Sequence, residues 1–130
     1  MCRRMIPIQA ACSLALACLL ALAGCQTQPV SFREDVYPIL ERNCLECHIT
    51  PDGKGYLKTG LTVEDYASLM AGTRYGPVIL PGDSRKSILN MLVEGRADDS
   101  MRMPHGRDKP LSDREVSILR LWVRQGAQDN

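Results

Sequence analysis

Apolar residues recur at helical spacing in four stretches of the chain. Phe32, Val36, Ile39 and Leu40 share one face of a segment that Ser31 can cap. Glu34, three residues after Ser31, can complete a capping box, so a helix is predicted to about Arg42. Pro38 falls inside that pattern and predicts a kink or a shortened helix. Val63, Tyr66, Ala67 and Met70 make a second stripe, with Thr62 as cap, Asp65 at the third position after it and Gly72 as stop. A third helix, capped by Asp83 or Ser84, carries Ile88, Met91 and Leu92 inward. The fourth starts at Ser112, boxed with Glu115, and runs to about Gln125, where Gly126 is a natural stop. Its polar stripe is narrow, only Asp113, Ser117, Arg120 and Arg124, which predicts a largely buried helix. Residues 49–60, 72–82 and 95–110 are rich in Gly, Pro and polar side chains and read as loops. The pattern is all-α.

The N-terminus has a different character. Arg3 and Arg4 precede an apolar stretch from about Ala10 to Ala23, too short for a comfortable membrane span and consistent with a secretory signal. Leu22-Ala23-Gly24-Cys25 resembles the lipobox of bacterial lipoproteins. That resemblance implies cleavage before Cys25 and acylation of its thiol. Residues 1–24 are then a signal peptide, 25–30 a lipidated tether and 31–127 a single domain. Gln26 follows Cys25 where an Asp commonly signals inner-membrane retention, so the resemblance implies an outer-membrane lipoprotein facing the periplasm. An uncleaved signal anchor is the alternative. A twin-arginine signal is poorly extended by Met5-Ile6-Pro7.

Cleavage would leave 106 of the 130 residues and, with Arg3 and Arg4 gone, 14 of the 16 Lys and Arg against all 15 Asp and Glu, a side-chain sum of −1. This balance carries no polyanion-binding footprint, so nucleic acid is not an expected partner. Aromatics are scarce, and so small a domain has limited apolar surface to bury.

Cleavage would also leave three cysteines, Cys25, Cys44 and Cys47. Cys44-Leu45-Glu46-Cys47-His48 is a C-x-x-C-H run, the attachment signature of a c-type haem. The two thiols can add to the haem vinyl groups and His48 can ligate the iron. On a helical turn all three point to one side. A thioredoxin-like pair would be expected near a βαβ pattern, which is missing here, and the exported chain has no second cysteine pair for a structural zinc site. One covalent haem c would supply a large apolar plate for the small core. Its two propionates would take the charge to −3.

The order of these features resembles the small single-haem cytochrome c fold, closest to the short planctomycete-type haem-c domain. The runs that carry the resemblance are Phe32 to Leu40, Asn43 to His48, Pro81-Gly82-Asp83 with Ser87 and Leu89, Met103-Pro104, Leu111-Ser112, and Trp122 to Ala127. It implies about four helices around the haem, with the first and last crossing near one haem edge. The backbone acceptor for the His48 N–H is left unassigned.

The sixth iron ligand must come from elsewhere. Met70 and Met91 lie on apolar stripes, where packing explains them, whereas Met101 and Met103 sit in a polar loop. Pro104 biases Met103 toward an extended backbone, and the resemblance also favours Met103. His105 is the rival, and Met101 or an open site are the other possibilities. His/Met ligation would leave no open iron position, so the expected function is one-electron transfer between redox partner proteins, not enzymatic turnover of a small-molecule substrate. A haem-based sensor or peroxidase-like enzyme with a displaceable sixth ligand is one alternative class, and a structural lipoprotein that never carries haem is another. Arg74, Arg85 and Arg102 are candidates for the propionates but read more simply as solvated surface charges.

Overall fold

Ser31 begins the first helix as predicted, and its hydroxyl accepts the Glu34 N–H at 3.1 Å. In the computed structural model, which describes residues 28–106 and 109–130, the reciprocal bond comes from a different residue. The Ser31 N–H donates to the Asp35 carboxylate at 2.9 Å, not to Glu34. The cause is the winding. Phe32–Val36 is a π-helical turn, in which the Val36 N–H reaches back five residues to the Ser31 carbonyl. Pro38 lacks an N–H, and in α geometry its ring crowds the carbonyl four residues back, so the wider turn relieves the crowding. The chain then continues as α1, Tyr37–Asn43.

Four further helices follow: α2 (Lys54–Thr59), α3 (Tyr66–Ala71), α4 (Ile88–Val93) and α5 (Asp113–Arg124), with a 3₁₀ turn at Asp99–Met101. The described residues contain no strand, only an isolated bridge between Thr73 and Gly76. The all-α class is correct. The number of helices is five rather than about four, because α2 forms inside the predicted 49–60 loop. It buries none of its residues, so it leaves no apolar period to read.

Two caps differ from expectation. Asp65, not Thr62, caps α3 and forms a capping box with Ser68. Ser87, not Asp83 or Ser84, precedes α4. The inward faces shift accordingly. On α3 Leu69 is buried while Ala67 is exposed. On α4 Asn90 and Val93 are buried, whereas Ile88 is 46% exposed and Met91 and Leu92 are half-buried. On α5 the Ser112–Glu115 box forms as read. Leu119, Trp122 and Val123 are buried there, while Val116, Ile118 and Leu121 are only half-buried.

The core lies where the π-turn, continued by α1, meets α5, and α4 packs along α5. Val36, Leu40, Leu69, Leu119 and Val123 have no exposed surface. The chain's single Phe and single Trp meet there, Phe32 and Trp122, with ring centroids 5.5 Å apart. Tyr66 stands edge-on to Phe32 at 5.2 Å. Its hydroxyl donates to the Ala127 carbonyl at 2.8 Å, and the Trp122 indole N–H donates to the Gln128 carbonyl at 3.0 Å. Pairing those polar tips lets the rings be buried without an unmet donor.

Chain segments at both ends of the domain close over this core. Asn130 accepts from the backbone N–H groups of Phe32 and Arg33 and from the Ser31 hydroxyl, so it satisfies donors that the first helical turn leaves unpaired. The Gln125 amide bonds Val30 and Gln28. Two residues of the expected tether are therefore tied to the fold. The signal peptide, the lipobox and Cys25 lie outside the described residues.

Candidate functional site

The C-x-x-C-H run leaves the end of α1 as one tight turn. Cys44 and Leu45 both donate to the Leu40 carbonyl, and Cys47 and His48 both donate to the Cys44 carbonyl. Residues 44, 47 and 48 therefore share one turn, as their spacing predicts. Neither Cys44 nor Cys47 is in a disulfide. Cys47 is exposed, and Cys44 is half-buried against the core.

The chain after the motif folds back on it twice. The N–H groups of Gly55 and Tyr56 both donate to the Cys47 carbonyl, at 2.8 and 3.0 Å. This approach requires glycine at two places. A Cβ on Gly53 would sit 2.6 Å from both the Cys47 and Ile49 carbonyl oxygens, and one on Gly55 would sit 2.8 Å from His48 Nε2. The second return is made by residues 61–64. Val63 N–H donates to the His48 carbonyl at 2.9 Å. The Leu61 carbonyl accepts from His48 Nδ1 at 3.3 Å. The Glu64 carboxylate accepts from the Thr50 N–H and from the Thr50 and Thr62 hydroxyls.

Leu61 is thus the acceptor that the sequence left unassigned. A carbonyl only accepts, so Nδ1 carries the proton and Nε2 presents its lone pair. Burial pushes the His48 imidazole below its ordinary pKa, and the Leu61 bond opposes this in part. The ring is neutral at pH 7, as a metal-ligating imidazole must be.

These features fit a covalently attached haem. Two thiols and an oriented imidazole lie on one turn, and Gly55 keeps a side chain out of the space beside Nε2. Fixing a ligand imidazole through its other nitrogen is the usual way such a ring is held.

Met103 stands apart from this cluster. It is half-buried, packs against the core, and donates its N–H to the Leu92 carbonyl of α4 at 3.2 Å. With Arg102, Pro104 and Pro110 it lines a groove of about 190 Å³ that includes none of the motif residues. The Met103–Pro104 peptide is cis. Met101 is 50% exposed and His105 is exposed. Met70 packs on the core, as expected for its stripe. Arg74 donates to the Leu57 carbonyl, and the Arg102 side chain lies against Gly95.

Asn90 escaped sequence reasoning. It is fully buried on α4, and neither polar atom of its amide has a hydrogen-bond partner among the described residues. Each such group costs about 1–3 kcal/mol when left unmet.

An all-helical domain with an oriented C-x-x-C-H turn fits the cytochrome c class. Residues 44–107 match the family model of planctomycete cytochrome C, which supports a cytochrome c domain of that type over those residues. The class implies a haem-binding or electron-transfer role. The match begins at the first motif cysteine, so the Phe32–Leu40 and Trp122–Ala127 runs that also suggested the resemblance lie outside it. No curated protein and no solved structure matches the chain.

Proposed function

We propose that this protein is a one-electron carrier holding a single haem c through thioethers to Cys44 and Cys47, with His48 and Met103 as axial ligands. The observation that carries the reading is the orientation of His48: its Nδ1 is committed to the Leu61 carbonyl, and Gly55 leaves room at Nε2. When bound, the haem supplies an iron that cycles between iron(II) and iron(III), and a thioether ligand favours the reduced state. The chain attaches, ligates and shields that group. The residue 61–64 return fixes the imidazole, and the bond from Met103 to α4 fixes the loop that offers the sulfur. Met103 is favoured over Met101 and His105 because it is the one of the three that packs against the core. Two protein ligands leave no iron position for substrate, so the proposal is a carrier and not an enzyme.

The carrier reading is extended by the lipobox resemblance at Cys25 to a bacterial lipoprotein, on the outer membrane and facing the periplasm. Val30 and Gln28 are bonded to Gln125, so acylation of Cys25 would keep the haem domain within a few residues of the bilayer. Its partners are redox proteins. Expression in a host that matures c-type cytochromes tests the reading. Haem staining should survive denaturing electrophoresis. The visible spectrum should be six-coordinate and low-spin in both oxidation states, and azide should not bind. A stain-free band, or ready azide binding by the wild type, would overturn the reading. Mass spectrometry should find a lipidated Cys25 as the mature N-terminus, and an unmodified Cys25 would refute the anchor.

A further inference from the structure

Two of the most exposed apolar side chains are neighbours in the fold. Leu57 is 59% exposed on α2, and Tyr75 is 80% exposed at the tip of the 73–76 turn. Arg74 joins the two segments. Its N–H donates to the Thr59 carbonyl at 2.9 Å and its guanidinium to the Leu57 carbonyl at 3.2 Å. The turn is rigidly closed. Thr73 and Gly76 exchange backbone bonds, the Thr73 hydroxyl donates to the Gly76 carbonyl, and the same hydroxyl accepts the Tyr75 N–H. These bonds fix the backbone that carries Tyr75, so little backbone entropy is lost when something packs on the turn.

Basic residues outnumber acids in the two segments that carry this pair. Lys54 and Lys58, two of the chain's four lysines, lie one turn apart on α2, both exposed, with Arg74 beside them. Asp52, just before α2, is the nearest acid in sequence, and none follows until Glu64. This stands out against a nearly neutral chain. The patch also adjoins the haem motif, because Gly55 of the same helix packs on the His48 ring. Tyrosine and arginine are the residues on which contact energy concentrates at interfaces, while a basic rim gives steering.

We propose that Leu57 and Tyr75, rimmed by Lys54, Lys58 and Arg74, form the docking face for a redox protein with an acidic surface around an apolar centre. The inference rests on the electron-carrier reading. Two apolar side chains suit the small, short-lived contacts of electron-transfer pairs. A bilayer is the less fitting occupant, since α2 has six residues and is no interfacial amphipathic helix.

The test uses haem-loaded full-length protein and two reductants, an acidic flavodoxin in its hydroquinone form and a small neutral quinol. At low salt, Lys54→Glu with Lys58→Glu should slow reduction by flavodoxin at least tenfold and flatten its dependence on ionic strength. Leu57→Ser with Tyr75→Ser should slow it several-fold and leave the salt dependence in place. Neither pair should change the visible spectrum, and neither should slow the quinol as it slows flavodoxin. Unchanged flavodoxin rates in both pairs overturn the docking face. So does a charge-reversal effect seen only as lost binding to vesicles containing phosphatidylglycerol, which would assign the patch to a membrane. A wild type that the quinol cannot reduce overturns the carrier reading itself, and the docking face with it.

Discussion

The helix-crossing region and the motif region are held together by different means. Where the π-turn, continued by α1, meets α5, the chain completes its own structure. Phe32, Tyr66 and Trp122 fill the space, their polar tips are bonded, and Asn130 covers the opening turn. Around the motif the backbone is just as closely bonded, through Cys47, His48 and the 61–64 return, yet the side chains are left open. Cys47 is exposed, and apart from the motif Met103 sits in a groove of its own. One region is a finished core. The other is a closely bonded backbone whose two thiols and oriented imidazole fit attachment of a covalent haem. A small domain with one Phe and one Trp has enough aromatic surface for a single such core, and a covalent haem would provide the rest.

The largest effect should come from removing the motif region's attachment. Replacing Cys44 and Cys47 together by Ala should abolish covalent haem loading and cost the domain its stable fold, since the open face then has no partner. Haem-stained denaturing gels and circular dichroism read the two consequences. Stable folding without haem would show that the motif region is finished after all. In the other region, Trp122→Ala should cost about 3–5 kcal/mol in denaturant unfolding while leaving haem attachment intact. A cost under 1 kcal/mol would mean the helix crossing is not the principal core.

Gly55→Ala sharpens the comparison within the motif. The added methyl would sit 2.8 Å from His48 Nε2 and 2.9 Å from the Cys47 carbonyl. Thioether formation should persist, because both cysteines remain, but the low-spin spectrum should weaken as His48 is displaced. A spectrum like that of the wild type would mean Gly55 does not clear that space.

The smallest effect belongs to the seam between α4 and α5. Glu94 accepts hydrogen bonds from Arg120 at 2.9 Å and from Arg96. Burial raises its pKa, but the bonds from Arg120 and Arg96 outweigh this and hold it below the usual carboxylate range. The unfolded chain then takes up that proton more readily than the folded one. The stabilisation is full above the ordinary carboxylate pKa and is lost as pH falls through the lower, folded value. Glu94→Gln should therefore lower stability at neutral pH and flatten the acid limb of a stability–pH curve. An unchanged acid limb would remove Glu94 from the account.

The parts of this molecule that could be read from sequence are those where a side chain acts on its own local backbone. The Ser112–Glu115 box and the C-x-x-C-H turn appear as written, because spacing alone determines them. The reading slipped where winding or competing bonds intervened. Pro38 widens the first turn, which moves the reciprocal cap from Glu34 to Asp35. Thr62 bonds Glu64 and leaves the α3 cap to Asp65. Helix α2 left no trace because it buries nothing. The Leu61 acceptor for His48 is a main-chain oxygen 13 residues downstream, and no residue type marks it. Asn90, a polar residue in an apolar face, became informative only through its burial.

The central claim is that the open face is completed by a haem whose iron is held between His48 and Met103. The far-red absorption of the oxidised, haem-loaded protein tests it most directly. A weak charge-transfer band from iron–thioether coordination should be present, should vanish in Met103→Ala, where azide then binds, and should persist in Met101→Ala and in variants of His105. A wild type without the band that binds azide readily would contradict the claim and favour a sensor or an enzyme with an open iron site.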